Sequence, residues 1–569
     1  MKKKLSLILA AVMLLSTVLC ACGETAPDAP AASNEVSSTN VEEPAPTEEP
    51  AAPAVEPVAE GKELTVRVGP DPLELDPALC AEDFDAIMLI HLFEGLLTVN
   101  ENVELAEGCA ETWETSEDGL TWTFHLRDGL KWSDGSPLTA EDFVYSWKRV
   151  ADPATRSPYA ETLLLPVKGY EEAAAGNPDA LCVSAPDERT FVVELSIPCT
   201  YFGSLAAFPV LSPVQRAAVE ANDDWALSPE TLIGNGAFRI SEWVPGSHIV
   251  TVKNPDYWNA DAVKLDSIRW LLIDSNEDVY RVFSSGEALF CCIKSTESIP
   301  ASINREEFHI NPIIGTLYLS LNNAVEPLDD PLLRKALSLS IDRQYFADTL
   351  MRGAYVPAWN FIGPGWLDPA GGKFMENANG GETYISDDFE ANLAEAKALM
   401  QEAGYAADPA NPDIHLTYSV SNVGEQQILA EYLREAWAEI GVDLEISVID
   451  LASATQTRRD GDYEISRNGW VGDYNDPSNQ IELMYSTNGN NDGNVNNADL
   501  DAALDLARDS VDPAVRSEAL HRAEDIIMDE MMCIPVVYFS DGWLQNPTLQ
   551  CVRHTSTGLY CFIYADIAE

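Results

Sequence analysis

The chain has 569 residues, of which 34 are lysine or arginine and 93 are aspartate or glutamate, so its formal net charge is −59. This acidity excludes nucleic acid as an expected partner, because phosphate backbones require clustered basic side chains. The length exceeds what one hydrophobic core usually supports, so we expect two or more lobes.

The amino terminus has the pattern of an export signal. Three lysines precede an apolar run over residues 5–19, which is too short for a stable membrane span. The residues before Cys22 resemble the lipobox of bacterial lipoproteins, and Cys20 fits this pattern less well. We predict a signal peptide over residues 1–21 and a lipid on Cys22, which would hold the protein at the extracytoplasmic face of the membrane. The alternative is an ordinary secretory signal with two incidental cysteines.

Residues 22–61 form an acidic segment rich in proline and alanine, without lysine or arginine before Lys62. Such a composition cannot bury enough apolar surface to offset the entropy of ordering. We therefore predict a disordered stalk between the lipid and a folded body. The body contains no second long apolar segment that would predict a membrane span.

Cysteine usage does not indicate a disulfide framework. The chain has 11 cysteines, and removal of Cys20 and Cys22 leaves nine at scattered positions. These match neither a disulfide-rich miniprotein nor a CxxC zinc site. We predict mostly reduced, buried cysteines.

The folded body has mixed α and β patterns. Apolar residues alternate with polar ones over residues 120–126, 414–420 and 442–448, which predicts strands, and they recur at helical spacing over residues 428–440. Residues 414–420, 428–440 and 442–448 therefore form a strand–helix–strand unit, which predicts a right-handed crossover between parallel strands. At least one lobe should therefore be an α/β sheet. The other predicted helices span residues 388–404 and 514–532.

Signatures of catalysis and of cofactor binding are missing from the sequence. It contains no HExxH, GxxxxGK[ST], GxSxG or GxGxxG motif. The seven histidines are dispersed, and acidic pairs are too common in so acidic a chain to predict a catalytic dyad. We expect no enzymatic activity, no cofactor and no metal site.

Residues 467–477 are the most informative segment, because they combine an arginine, a tryptophan and an aspartate with two glycines. Gly469 and Gly472 weaken a strand unless another backbone approaches it closely. We predict a ligand-binding strand here. The alternative is a polar edge strand with a glycine bulge.

Several separate landmarks resemble, in the same order, the oligopeptide-binding proteins of ABC importers, which are extracytoplasmic solute-binding proteins of family 5. The longest is DGSPLTAEDFVYSW at residues 134–147, and its similarity continues to residue 159. The resemblance covers essentially everything after the stalk. The shorter landmarks lie at residues 93–96, 121–127, 234–238, 254–259, 321–323, 334–337 and 470–477.

The resemblance implies an α/β fold of the two-lobe periplasmic-binding-protein type, class II, with an extra inserted domain. Hinge strands would let the lobes close over ligand. The implied first lobe is discontinuous: it consists of three separate segments, and the extra domain is inserted between the first and the second of them. The implied boundaries are residues 62–93, 218–314 and 541–569 for the first lobe, 94–217 for the extra domain and 315–540 for the second lobe.

The resemblance also implies two charged anchors for a peptide. Asp473 matches the family aspartate that receives the peptide α-ammonium, a cation that needs a charged partner inside a cleft. Arg467 matches an arginine that helps place the far carboxylate, which guanidinium geometry suits. Arg458 is a weaker candidate of the same type. The alternatives are an aspartate on a surface loop and an arginine in a salt bridge between lobes.

The remaining site residues are implied in the same way. Trp470 and Tyr159 match aromatic positions that line side-chain pockets, although either could belong to the core instead. The backbone from Gly469 through Gly472 to Asp473 would pair with the peptide main chain, giving affinity independent of peptide sequence.

The sequence departs from the familiar tripeptide binder of this family at several places. Val325 stands where that protein has a lysine for the ligand carboxylate, Glu425 lies near its helix histidine, and Leu451 lies near its pocket tryptophan. Its paired cysteines fall at Gly315 and Val471. We therefore expect a different ligand length and side-chain preference.

The function implied by the resemblance is capture of short peptides outside the membrane and their delivery to an ABC permease by a monomeric, lipid-anchored protein. A different solute on the same fold remains open, such as a nickel chelate, a sugar oligomer or a signalling peptide. A surface peptide hydrolase is the alternative from another class.

Overall fold

The computed structural model describes residues 61–100, 104–293 and 305–568. The predicted signal peptide, Cys22 and the predicted stalk up to residue 60 lie outside this part of the chain, as does the side chain of Leu451. Within the described part, no helix has both the length and the apolar character needed to cross a membrane.

The strands of the described residues are short except for two. In chain order they are β1 (Glu63–Arg67), β2 (Leu97–Val99), β3 (Leu105–Glu107), β4 (Ala110–Thr115), β5 (Thr121–Leu126), β6 (Val183–Asp187), β7 (Thr190–Glu194), β8 (Phe238–Val244), β9 (His248–Lys253), β10 (Ser267–Leu271), β11 (Phe290–Ile293), β12 (Phe308–Leu321), β13 (Val356–Pro357), β14 (Ile414–Ser421), β15 (Val442–Ile449), β16 (Ile465–Val471), β17 (Cys533–Gln545), β18 (Leu549–Gln550), β19 (Arg553–His554), β20 (Tyr560–Cys561) and β21 (Asp566–Ile567).

Eleven strands form one mixed sheet, in the order β15-β14-β16-β12-β17-β11-β1-β10-β9-β8, with β13 also paired to β17. The long strands β12 and β17 are antiparallel partners and run through both halves of this sheet. Their register shifts between Pro312 and Thr316. They have the arrangement expected of hinge strands. A separate antiparallel sheet has the order β4-β5-β7-β6.

Several α-helices have an Asp or Asn at the N-cap. Its side-chain oxygen accepts a hydrogen bond from a free backbone N–H of the first turn. Such caps are Asp330, Asp388, Asp450, Asn497 and Asp512. The helices are α1 (Asp83–Leu92), α2 (Ala140–Ala151), α3 (Ala160–Leu164), α4 (Tyr170–Ala174), α5 (Phe202–Ala206), α6 (Arg216–Ala221), α7 (Asn276–Ser284), α8 (Pro331–Leu339), α9 (Arg343–Tyr345), α10 (Phe374–Asn377), α11 (Phe389–Glu402), α12 (Gly424–Ala438), α13 (Leu451–Asp460), α14 (Ser478–Ile481), α15 (Ala498–Asp509) and α16 (Pro513–Asp529). Short 3-10 helices span Pro77–Leu79, Pro178–Ala180, Pro209–Leu211, Trp225–Leu227, Ala260–Ala262, Ala378–Gly381 and Glu482–Met484. A short π-helix spans Phe346–Leu350.

The predicted strand–helix–strand unit is confirmed. Strands β14 and β15 are parallel neighbours, and α12 connects them. Two residues of the predicted apolar faces are exposed instead, since Ile428 is 43% and Val448 is 50% accessible. Both lie near the carboxyl ends of the parallel strands, where α/β sheets leave a crevice for ligands. The predicted strand over residues 120–126 and the two other predicted helices are also confirmed, as β5, α11 and α16.

Buried apolar side chains form two separate cores. The first includes Trp147, Trp270 and Phe562, and it combines the predicted first lobe with the predicted extra domain. The second includes Trp366 and Trp437 and lies mostly in the predicted second lobe, but it also contains Val279, Val282 and Cys291 of the predicted first lobe. The fold is thus the expected two-lobe α/β class, while the domain boundaries stay a prediction.

The nine cysteines of the described residues form no disulfide with one another. Most are buried; Cys182 is partly exposed and Cys551 is exposed. Gly315 and Val471, the positions that match the paired cysteines of the familiar tripeptide binder, are direct partners across β12 and β16. The two positions that match the cysteine pair are therefore also neighbours in this fold.

Candidate functional site

Asp473 lies in the loop between β16 and α14 and is partly buried. Its backbone N–H donates a hydrogen bond to Oδ1 of Asn479 (3.2 Å). Burial raises the pKa of Asp473 above its ordinary value, and hydrogen bonding with the Asn479 side chain opposes this rise. No basic side chain of the described residues lies within ion-pair distance of it. Asp473 is therefore a desolvated carboxyl group without an internal cation among the residues that the structure describes.

A cavity of about 480 Å³ lies beside Asp473, and Tyr159 and Gly472 also line it. We call it the large cavity. The ring of Tyr159 packs against Phe208 with the ring centroids 5.0 Å apart. Burial raises the pKa of Tyr159 to about 12, and the negative charge of Asp473 adds to the rise. Two predicted site residues that are distant in sequence therefore share one cavity.

The large cavity has a charged wall that sequence reasoning missed. The buried Glu94 accepts hydrogen bonds from the hydroxyl of Tyr257 and from Nε1 of Trp258, both at 2.6 Å. Burial raises the pKa of Glu94, and these two hydrogen bonds oppose the rise. The guanidinium carbon of Arg127 lies 3.7 Å from the centroid of the Trp258 ring. The signal was present in three family landmarks that converge here, at residues 93–96, 121–127 and 254–259.

Arg467, Arg458 and Gly469 line a second cavity, of about 140 Å³, at the carboxyl end of β14 and the start of α12. We call it the small cavity. The sequence assigns Asp473 and Arg467 to one ligand, but the two residues line different cavities. The rest of the lining is polar or small: Ser419, Ser421, Gln426, Ala454, Ser466 and Asn468.

Arg467 carries a positive charge without a carboxylate within ion-pair distance in the described part of the chain. Its guanidinium carbon lies 6.0 Å from the centroid of the Phe539 ring. Its Nε is buried and has no hydrogen-bond partner among the described residues. The alternative role, a salt bridge between lobes, thus lacks a described partner.

Arg458 differs from Arg467 because its charge is neutralised. Its Nε donates to Oδ2 of Asp492 at 2.6 Å, and both side chains are largely buried. Its Nη1 donates to the backbone oxygen of Arg467 at 3.2 Å. Asn468 also donates to Asp492, at 3.1 Å. Arg458 therefore anchors β16 as well as lining the small cavity.

Aromatic rings leave no room for a Cβ atom at Gly469 in β16 or at Gly472 in the loop that follows it. A Cβ atom at Gly469 would lie 2.8 Å from Cζ of Phe539, and one at Gly472 would clash with Cη2 of Trp366. Real Cβ atoms do not approach carbon so closely. The two glycines predict close approach of another backbone, whereas the closest atoms belong to side chains of the protein.

Trp470 lines neither of the two cavities as the described residues form them. Its indole Nε1 donates to Oδ1 of Asn479 at 2.6 Å, the same oxygen that receives the Asp473 amide. It also packs against the second core. Trp470 therefore helps to fix the loop that carries Asp473.

One edge of β16 is open over most of its length. Residues Ile465 and Ser466 pair with β14, and beyond them this edge has no strand partner among the described residues. The opposite edge pairs with β12 along the whole strand. An extended ligand could therefore add to β16 on its open edge.

Among the described residues, no three His, Cys, Asp or Glu side chains are grouped to hold a metal ion. A two-lobe α/β fold whose large cavity combines aromatic walls with a desolvated carboxyl group has the features of a ligand-binding protein.

The chain belongs to the bacterial extracellular solute-binding proteins of family 5, whose middle region matches residues 104–492. The oligopeptide-binding protein OppA of Bacillus subtilis (strain 168) is 33% identical over 507 residues, covering 87% of this chain and 91% of that protein. The unliganded open form of the murein tripeptide-binding protein MppA has a TM-score of 0.78 and 30% identity, covering 90% of this chain and 98% of that one. Haemophilus influenzae OppA in complex with the peptide RPPGFSPFR has a TM-score of 0.66 and 27% identity, covering 90% of this chain and 99% of that one.

Proposed function

We propose that this protein captures short peptides outside the membrane and delivers them to an ABC permease, without chemistry of its own. The observation that carries the proposal is the large cavity shared by Asp473 and Tyr159. Asp473 is desolvated and lacks an internal cation among the described residues, so a ligand ammonium would supply the missing charge. The peptide ligands named for the related OppA and MppA proteins support the same ligand class.

The proposed ligand runs along the open edge of β16, from its ammonium at Asp473 to its carboxylate at Arg467. The unsatisfied guanidinium of Arg467 supports this direction, because it lacks a carboxylate among the described residues. An extended chain between the two anchors spans at most about 20 Å. The TM-score of 0.78 with the unliganded open form of MppA supports an open state, in which the two cavities are still separate.

The ammonium anchor is tested by titration calorimetry of the full-length protein, purified in detergent, with Ala-Ala-Ala and with its N-acetyl derivative. We expect Asp473→Asn to weaken binding of Ala-Ala-Ala by about two to three orders of magnitude, because an enclosed cation loses its partner. Acetylation should weaken binding to the parent protein similarly. Asp223→Asn, at an exposed position, is the matched control. Equal affinity of the Asp473→Asn variant and the parent protein would reject this anchor.

The proposal also includes a lipid anchor on Cys22 and delivery of the bound peptide to an ABC permease. The lipobox-like sequence before Cys22 supports a lipid anchor, although this region lies outside the described residues. Labelling with a radioactive fatty acid in a bacterial host should mark the parent protein and not Cys22→Ser. Recovery of intact peptide after long incubation with the protein should exclude hydrolysis. Loss of the peptide would instead favour the hydrolase alternative.

A further inference from the structure

Arg553 is, besides Arg127, a cation in the lining of the large cavity, and it has no role in the peptide binding proposed above. It lies in β19 and lines the same cavity as Asp473. Its Nη1 donates to the backbone oxygen of Val99 (3.1 Å), and its Nη2 donates to Sγ of Cys561 (3.4 Å). Its guanidinium carbon lies 5.0 Å from the centroid of the Tyr564 ring. These three contacts hold the guanidinium in place before any ligand arrives.

The charge of Arg553 is not balanced within the described part of the protein. None of its contacts there is an ion pair with a carboxylate. A guanidinium has five N–H donors, and only two hydrogen bonds from Arg553 to described residues are made. Its Nε is buried without a partner among them. A partly buried cation with idle donors is unfavourable unless an anion pairs with it.

The carboxylates that line the large cavity do not supply this anion. Glu94 is engaged by two hydrogen bonds and by the positive charge of Arg127. Glu82, Asp83 and Glu107 are exposed to water, which screens their charge. A carboxylate on the ligand is the group that would complete the site, since guanidinium and carboxylate form paired, charge-assisted hydrogen bonds.

The position of the cavity decides which ligand carboxylate this is. In the proposed binding mode the ammonium lies at Asp473, and the far carboxylate lies at Arg467 in the small cavity. The part of the peptide that shares the large cavity with Arg553 is therefore its amino-terminal end. A volume of about 480 Å³ leaves room there for side chains.

We propose that Arg553 is a specificity-determining residue that selects peptides with an acidic side chain, Asp or Glu, at the first or second position. This inference rests on the proposed function and names its substrate class. Arg553 binds the side-chain carboxylate through the unused N–H groups of Nη1 and Nη2, while Asp473 binds the α-ammonium. The structure thus offers complementary charges for both groups at one end of the ligand.

The test compares matched peptides that differ in one charge. Calorimetry of the full-length protein in detergent measures Kd for Glu-Ala-Ala against Gln-Ala-Ala, and for Ala-Glu-Ala against Ala-Gln-Ala. We expect the glutamate peptide of at least one pair to bind about tenfold or more tightly. Arg553→Gln should bring that ratio to about one. The readout is the ratio, so a general weakening of binding does not count as support.

Two further variants keep the result decisive. Arg467→Gln should weaken all four peptides and leave the glutamate preference in place, because Arg467 lies in the other cavity. Arg553→Lys keeps the charge without the fork of donors and should lower the preference without abolishing it. If Arg553→Gln fails to fold, an Arg553→Lys ratio equal to that of the parent protein overturns the proposal.

The outcomes separate this inference from the function on which it rests. If all four peptides bind the parent protein with equal affinity, peptide capture stands and the role of Arg553 is wrong. If none of them binds, both proposals fail. If amidation of the peptide carboxy terminus removes the effect of Arg553→Gln, and exchange of Glu for Gln does not, Arg553 binds the terminal carboxylate and the side-chain assignment is overturned.

Discussion

The rings of Tyr201 and Tyr474 stack face to face, with centroids 4.8 Å apart and an angle of 1° between their planes. Tyr201 precedes α5 in the predicted extra domain, and Tyr474 directly follows the proposed ammonium anchor Asp473. The guanidinium carbon of Arg516, in α16, lies 5.3 Å from the centroid of the Tyr201 ring. This stack therefore connects the first core to the loop that carries Asp473.

The stacked pair should contribute a measurable coupling energy. We expect Tyr201→Leu and Tyr474→Leu to destabilise the protein less in combination than the sum of their separate effects. The difference should be about 0.5–1.5 kcal/mol, as for other aromatic pairs. Urea unfolding of the four proteins measures it. The same cycle with Tyr405→Leu in place of Tyr474→Leu should give additive effects, because Tyr405 packs elsewhere, against the second core.

Peptide affinity should depend on pH through Asp473. Burial raises the pKa of this carboxyl group in the free protein, so it binds a proton at a higher pH than an ordinary aspartate. Binding of an ammonium requires the ionised form. The affinity for Ala-Ala-Ala should fall by up to about tenfold per pH unit as the pH drops below that raised pKa.

Calorimetry at a series of pH values measures this dependence, and C-amidated Ala-Ala-Ala removes the titration of the peptide's own carboxylate. The Asp473→Asn variant should bind weakly with little change over the same range. A parallel fall of affinity in this variant would assign the titration to another group.

Glu524 should make the protein less stable at alkaline pH. Its side chain is fully buried in α16, and Oε1 accepts a hydrogen bond from the backbone N–H of Ile362 at 2.7 Å. Burial raises the pKa of Glu524 from its ordinary value of 4.5 to about 8. The folded state therefore keeps a proton that the unfolded chain loses. The contribution of this group to stability is fully present below about pH 4.5 and is lost as the pH rises towards 8.

Chemical unfolding at pH 5 and at pH 8.5 tests this dependence with Glu524→Gln, which mimics the protonated form. The variant should be similar to the parent protein at pH 5 and more stable at pH 8.5. Glu518→Gln, at an exposed position on the same helix, should not change the pH profile. An identical pH profile for Glu524→Gln and the parent protein would contradict the buried protonated state.

The buried ion pair of Asp476 and Arg516 should be costly to break from one side. Nη1 of Arg516 donates to Oδ2 of Asp476 at 2.7 Å, and Nη2 donates to Oδ1 at 2.9 Å. Both side chains are almost fully buried. We expect Asp476→Asn to lower the free energy of unfolding by about 3–5 kcal/mol, because it leaves a buried cation without its partner.

The double variant Asp476→Leu/Arg516→Met should be less destabilised than Asp476→Asn, since it removes both charges. Arg522→Met, at an exposed position on the same helix, should change stability by about 0.5 kcal/mol or less. Thermal and urea unfolding measure these differences. A loss below 1 kcal/mol for Asp476→Asn would show that water or another side chain compensates the arginine.

Local patterns predicted the secondary structure of this chain well. The alternation over residues 414–420 and 442–448 predicted β14 and β15, because the apolar face is buried throughout β14 and at Val442 and Leu444 in β15. The alternation failed for Val448 and the helical spacing failed for Ile428, since both residues are exposed near the carboxyl ends of the parallel strands. Periodicity predicts which face of an element is apolar, but the tertiary packing decides where along that face the core ends.

The candidate site was predictable in part. Family landmarks brought Asp473 and Tyr159 to one ligand, and both line the large cavity. The charged wall of Glu94 and Arg127 was missed, because its members come from distant segments of the chain. The split of Asp473 and Arg467 into two cavities was also missed, since spacing along a strand does not show which surfaces the neighbouring strands cover.

The sequence by itself determined the fold class, the strand–helix–strand unit and the segment that carries the candidate anchors, because each depends on local periodicity or on a contiguous motif. Asp473 and Asp476 are two aspartates in the same short segment, and only the family resemblance singled out Asp473. The tertiary structure shows how the two aspartates differ, since α16 brings Arg516 onto Asp476 and leaves Asp473 without a cation among the described residues. Charge pairing depends on distances across the fold, and these are set only when elements remote in sequence pack together.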